Sequence, residues 1–221
     1  MSSPKTSTRR RAPSKKSLAT KARILDAAES LFAVRGFDGT SIRDIAAESG
    51  SPVALVNHHG GPKEDLFHAV VARRAETLAE LRLEALETRK AESGDLILRE
   101  ILSCFVRPFL HLAFGPDKGW VAYGRLIALV SADERWKEIA AECFDPTVSV
   151  FLDELSEICP NASRTTLSAA FVFMVSGMLA LTSSSWRIGA VAKLKEETDL
   201  VEALLDYSEA GFIRLCGDTA R

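Results

Sequence analysis

Ser49-Gly50-Ser51, with Pro52 directly behind it, limits how this chain can fold more than any other segment. Gly50 permits the left-handed backbone of a tight turn. A serine followed by proline then restarts a helix at once, as a cap and a first helical residue. Before the turn, Ile42, Ile45 and Ala46 recur at helical spacing; after it, Pro52 to His59 is long enough for two helical turns. Two short helices joined so closely outline a helix-turn-helix, a device that lays a short helix in the major groove of DNA. A third helix is predicted over 18–35, with Ile24, Ala27, Ala28, Leu31 and Phe32 on one face, Gly36 ending it and Thr40 capping the next. Three helices in under fifty residues can share one small core.

The charge distribution agrees with a polyanion partner at one end. The 221 residues carry a formal net charge of −2, which by itself says nothing. Residues 1–25, however, hold eight basic residues and no acidic one, so the remainder is acidic, with a net charge of −10. Residues 1–17 read as a polar, basic, flexible tail. It is either an arm that adds phosphate or minor-groove contacts or a solvated end.

Beyond the head, a long helix is predicted from Pro62 or Lys63 to about Lys90. Leu66, Ala69, Val70, Thr77, Leu78 and Leu81 form its apolar stripe, with Glu76, Glu80, Arg82 and Glu84 solvating the rest. Further helices are expected at 95–113, 117–131, 134–143, 147–159, 163–186 and 198–216, punctuated by Pro108, Gly115-Pro116, Asp145-Pro146 and Pro160-Asn161. No strand is expected. The fold class is therefore all-α: a tail over 1–17, a helix-turn-helix domain over 18–66 and a helical body over 67–221. The apolar run Leu167 to Leu181 is broken by Ser168 and Ser176 and reads as a buried helix rather than a membrane span. Cys104, Cys143, Cys159 and Cys216 are widely spaced, with no CxxC pair and no secretory h-region ahead of them, so reduced thiols and a cytoplasmic location are expected.

Within the helix-turn-helix, Ala46 lets the two helices approach, Gly50 makes the turn and Val56 anchors the second helix. Val53, Ala54, Leu55, Asn57 and His58 then face outward. Asparagine can bond an adenine edge twice, and small apolar groups can touch a thymine methyl. Ser41, Arg43 and Lys63 sit at helix beginnings or exposed turns, where phosphate oxygens would lie. His58-His59 is not expected to bind metal, because adjacent helical side chains diverge and no nearby cysteine or acidic pair completes a ligand set.

Residues 18–70 resemble the N-terminal domain of the TetR family of transcriptional regulators. The likeness rests on Ile24-Leu25-Asp26-Ala27-Ala28, Leu31-Phe32, Gly36-Phe37, Thr40 to Ala46, Ser49-Gly50, Val56-Asn57, His59 and Lys63-Glu64-Asp65-Leu66. The resemblance implies an all-helical homodimer on a near-palindromic operator, with a C-terminal domain that dimerises and binds a small effector. It carries phosphate or base contact onto Thr40, Ser41, Arg43, Val53, Ala54, Leu55, Asn57, His59 and Lys63. One departure stands out. The family usually places an aromatic residue after the histidine matched by His59, and here Gly60-Gly61-Pro62 follows. A loosened reading head is expected from the lost ring, and with it a gain in stability for Gly60→Phe.

In the body, Arg107, His111, Trp120, Tyr123 and Arg125 lie on otherwise apolar helices, with Phe171, Met174 and Met178 nearby in pattern. Apolar and aromatic walls with a few polar groups suit a small, largely apolar effector. A looser likeness, through Ala72-Arg73-Arg74 and Arg125-Leu126, is to family members that sense fatty acids or acyl thioesters. The last two long helices are the dimer candidates, through Ala169, Phe173, Gly177, Ala180, Leu204, Gly211, Phe212 and Leu215. The expected function is a transcriptional regulator, most naturally a repressor, that binds double-stranded DNA as a homodimer and is released by its effector. An effector-independent architectural DNA binder is the alternative. No GxSxG, P-loop, HExxH or carboxylate pair appears, so an enzyme is not expected, and neither is a cofactor, a metal or a membrane partner.

Overall fold

The computed structural model describes residues 14–193 and 199–216. All regular structure among them is helical: α1 (Lys15–Arg35), α2 (Ile42–Glu48), α3 (Val53–Gly60), α4 (Lys63–Ser93), α5 (Leu98–Ala113), α6 (Gly119–Ala132), α7 (Lys137–Cys143), α8 (Asp145–Ile158), α9 (Arg164–Ser183), α10 (Ser185–Ala192) and α11 (Leu200–Cys216), with one 3-10 turn at Glu134–Trp136. The first helix begins three residues earlier than expected. Ser14 caps it by accepting from the Ser17 amide, which makes Lys15 and Lys16 helical. The rest of the expected tail, residues 1–13, lies outside the described residues.

α1, α2 and α3 close a small core from Ile24, Ala28, Leu31, Phe32, Ile45, Ala46 and Val56, the apolar positions that helical spacing picks out. α1 also packs against α4 and α6, so the three-helix head is seated on the body. In the body, α5 lies across α4 and α11, and α9 runs between α6, α8 and α11. The segment expected as one helix over 163–186 is two, because the chain breaks at Ser184. α9 has the length and apolarity of a membrane span, yet Leu167, Phe171, Met174 and Met178 on one side of it are core residues.

Two expectations about α4 fail. Thr77 is exposed, and its hydroxyl turns back to the Arg73 carbonyl. Arg82, assigned to the solvated side, is buried. It stands one helical turn from both Leu78 and Leu86, so its position belongs to the buried stripe even though its residue type does not. The cysteines also depart from expectation: Cys159 and Cys216 form a disulfide between the ends of α8 and α11, with Cα atoms 5.3 Å apart. Cys104 and Cys143 are free thiols, and burial raises the pKa of both.

Candidate nucleic-acid interface

The turn between α2 and α3 is built as its residue types require. Gly50 takes a φ of 59°, and the Ser51 amide reaches back to the Ala46 carbonyl at 3.0 Å. Pro52 is the residue before the helix rather than its first member, and its carbonyl accepts from the Leu55 and Val56 amides. Val56 is fully buried, which fixes the rotation of α3. The same rotation exposes Val53 (41%) and Leu55 (39%), along with Ala54, Asn57 and His58. An exposed Val-Ala-Leu run beside an asparagine is costly in water and well matched to base edges and thymine methyls. His59 is half-buried, and its ring meets that of His58 edge to face with centroids 5.1 Å apart.

The expected phosphate contacts divide. Arg43 is exposed and available. Ser41, not Thr40, caps α2: its amide donates to Asp44 Oδ2 at 2.8 Å, and its Oγ accepts from the Asp44 amide at 3.1 Å. The Ser41 hydroxyl and amide hold the Asp44 carboxyl below its ordinary pKa. Such a reciprocal cap stabilises a helix start by about 1 kcal/mol. Thr40 is buried, and its hydroxyl donates to the Gly36 carbonyl at 2.9 Å. Lys63 is similarly committed. Its Nζ donates to the Phe37 and Thr40 carbonyls at 2.9 and 3.0 Å and lies 4.0 Å from the Phe37 ring centroid. Thr40 and Lys63 therefore build the loop between α1 and α2.

Gly60 corrects a second expectation. A Cβ built there would lie 2.8 Å from Leu66 Cδ1 and 3.2 Å from Leu66 Cβ, and Leu66 is fully buried. The missing family aromatic leaves no hole, because Leu66 occupies the space. A phenylalanine would have to displace it, so Gly60→Phe brings overpacking rather than a gain in stability. Gly61, at φ 69°, donates to the Asn57 carbonyl at 3.0 Å and closes an ordered corner into Pro62 and α4.

Aromatic packing between head and body comes from elsewhere. Phe67 meets Phe32 at 5.0 Å, Phe37 at 5.3 Å and Trp136 at 4.4 Å between ring centroids. Trp136, 69 positions further along the chain, also meets Phe37 at 4.8 Å. An ionic cluster centred on the buried Glu29 joins α1 to α4. Glu29 of α1 accepts from Arg73 Nη2 at 2.9 Å and Arg74 Nε at 2.7 Å. Arg73 also pairs with Asp26, and Arg74 with Asp117. Arg73 and Arg74 thus pair with the carboxylates of α1 and of the loop before α6. Glu29 was not singled out in the sequence, although it lies one turn from Leu25 on the buried face of α1.

The expected effector residues do not converge. Arg107 and His111 line a surface groove of about 790 Å³ between α4, α5 and the start of α11, beside Leu81, Cys104 and Phe114. Arg107 is ion-paired with Glu202. Trp120, Tyr123, Phe171, Met174 and Met178 are core residues, and Arg125 is exposed on α6. Helical spacing places residues on a face but does not say which face the neighbouring helices cover. The expected dimer residues also separate. Gly177 admits Leu204, and Leu204 and Phe212 are buried within the chain. Ala169, Phe173, Ala180, Gly211 and Leu215 remain exposed on α9 and α11.

Comparison with known proteins gives the same picture. Residues 24–70 match the model described as bacterial regulatory proteins, tetR family, and residues 103–211 match the tetracyclin repressor-like C-terminal domain. The HTH-type transcriptional regulator LmrA of Bacillus subtilis is 29% identical over 170 residues, covering 74% of this chain and 87% of that protein. The HTH-type transcriptional repressor Rv3405c of Mycobacterium tuberculosis is 54% identical over 50 residues, covering 23% of this chain and 27% of that protein. Among solved structures, a TetR family transcription regulator from Shewanella sp. PV-4 aligns with a TM-score of 0.63 at 17% identity, over 87% of this chain and 95% of that one. AmtR of Mycobacterium smegmatis aligns with a TM-score of 0.59 at 19% identity, over 92% and 88%. These two share the fold. The two family matches together span the reading head and most of the body, and the chain belongs to the TetR family of DNA-binding transcriptional regulators.

Proposed function

We propose that this regulator is a repressor that binds a near-palindromic operator as a homodimer and leaves it when a small effector occupies the body. The observation that carries the DNA half of this reading is the surface of α3. Val56 is locked into the core while Val53, Ala54, Leu55, Asn57 and His58 stay outside. Arg43 on α2 and the exposed Lys15, Lys16, Lys21 and Arg23 of α1 supply positive charge for the backbone. Ser41 and His59 remain candidate contacts at the edges of this surface. A protein acting on DNA in this way works in the cytoplasm.

One eight-residue helix reads too few base pairs for specificity, and a two-fold pair reads two half-sites. The exposed apolar residues of α9 and α11 support a pairing surface there. Phe173 is 66% exposed and Tyr207 77%, with Val172 and Leu215 beside them. Ala169, Ala180 and Gly211 give close backbone approach on the same helices. Phe173→Glu is therefore expected to give a monomer by light scattering and to weaken operator binding about a hundredfold or more, because each half-site then binds alone. A variant that remains dimeric and keeps wild-type affinity would remove α9 from the interface.

A further inference from the structure

We propose that the effector carries an anionic head group on an apolar body, and that Arg82 is the residue that receives the anion. This rests on the effector reading above and names the chemistry of its ligand.

Arg82 lies in the middle of α4 and is only 6% exposed. Its Nε donates to the Phe105 carbonyl at 2.8 Å, its Nη2 points at Met178 Sδ at 3.7 Å, and the guanidinium carbon sits 3.5 Å from the Phe105 ring centroid. A guanidinium has five N–H donors in a planar fork. Here one meets a carbonyl and one a thioether, and no carboxylate lies within ion-pair distance among the described residues. Burial pushes its pKa down to about 9, so it still carries its charge at neutral pH.

The other fully buried charge among the described residues, Glu29, is paired. Glu29 has two arginines, Glu154 has Lys90, and Glu209 has Arg99. An unpaired buried cation is among the most expensive groups a core can hold. Glu29 is neutralised by its two arginines, whereas Arg82, with no carboxylate beside it, is retained where its charge has a use.

The surroundings define the rest of the ligand. Phe105 meets Phe151 at 5.1 Å and Phe171 at 4.7 Å, and Met178 touches the guanidinium directly. Aromatic and thioether walls around one convergent polar group are the composition of a small-molecule site, and methionine repacks readily around a guest. A carboxylate or phosphate would take two parallel N–H bonds from the fork, in place of a ring face and a sulfur. The position suits control of DNA binding. α4 runs unbroken from Lys63, which holds the α1–α2 loop, through Arg73 and Arg74, which hold Glu29, to Arg82. A ligand that moves Arg82 acts on the helix that seats the reading head.

The test uses the full-length protein, wild type and Arg82→Met, titrated calorimetrically with dodecanoate, dodecyl phosphate, dodecanol and dodecyltrimethylammonium below their micellar concentrations. Wild type is expected to bind the carboxylate, the phosphate or both about tenfold or more tightly than the alcohol, and the cation most weakly. The two anionic arms tell a carboxylate ligand from a phosphate one. Arg82→Met is expected to lose the head-group preference, to keep its binding of the alcohol, and to melt at or above wild type when ligand-free. Equal binding of acid and alcohol by wild type, a preference that survives in Arg82→Met, or a ligand-free variant that melts well below wild type would each overturn it. Equal binding of acid and alcohol leaves an effector site without an anion receptor. Binding of none of the four also overturns the proposal. The effector reading fails separately, only if a wider screen of neutral and cationic compounds never dissociates the operator complex.

Discussion

Replacing Glu29 with alanine is expected to cost about 3–5 kcal/mol of stability, because removing one partner of a buried ion pair leaves charge uncompensated. The Glu29 carboxylate is nearly sealed from solvent and is shared by two guanidinium groups on α4. Without it, Arg73 and Arg74 face each other across the empty position. Arg73 keeps Asp26, and Arg74 keeps Asp117 and the Trp120 ring 4.8 Å away, which places the loss toward the lower end of that range. Urea unfolding followed by far-ultraviolet circular dichroism measures the difference as a shift in midpoint at constant slope. A loss under about 1 kcal/mol would show that the cluster is solvated rather than structural. Glu29→Gln retains an acceptor without the charge and is expected to fall between alanine and wild type.

Phe67→Ala is expected to cost a similar amount, about 3–5 kcal/mol, by removing a buried ring and leaving a cavity. Phe67 is the hub of the contact between head and body: its ring touches Phe32 of α1, Phe37 of the following loop and Trp136 of the body. The functional consequence is larger than the loss of packing alone. Once the ring is gone, the head keeps its own core of Ile24, Ile45 and Val56 but loses its aromatic seat, so operator affinity falls under conditions where the protein remains folded. With Trp120 and Trp186 replaced by phenylalanine in both proteins, Trp136 fluorescence gives a local readout, with an emission shift to the red as water reaches the indole. Unchanged emission together with wild-type stability would mean that α4 and α6 hold the head without this cluster.

The reading head was legible in the sequence because its signals are local. Gly50 and the apolar spacing of α1 and α2 act within a few residues of the structure they determine. Elements that depend on distant partners were not legible. No local signal ties Trp136 to Phe67, and only the folded chain brings the two together. Glu29 and Arg82 occupy positions whose helical spacing says buried, while their residue type says exposed. In each case position prevails over type, at Glu29 because two arginines neutralise it and at Arg82 without such a partner. Gly60 misled for the opposite reason: the absence of a family aromatic read as a hole, when Leu66 six residues on fills the space. The expected effector residues were plausible one by one. They scattered because Arg107 and His111 lie on the groove side of α5, whereas Phe171 and Met178 face the interior from α9.

In the proposed homodimer the body positions two copies of α3 on one operator. Selection of duplexes from a random pool by the wild-type protein tests it most directly, followed by light scattering of the complex on the enriched sequence. The expected result is an inverted repeat with half-sites about one helical turn or more apart, bound by an even number of protomers, with affinity falling steeply as salt rises. Enrichment of a single unrepeated half-site bound by a monomer, or no enrichment at all, would contradict it.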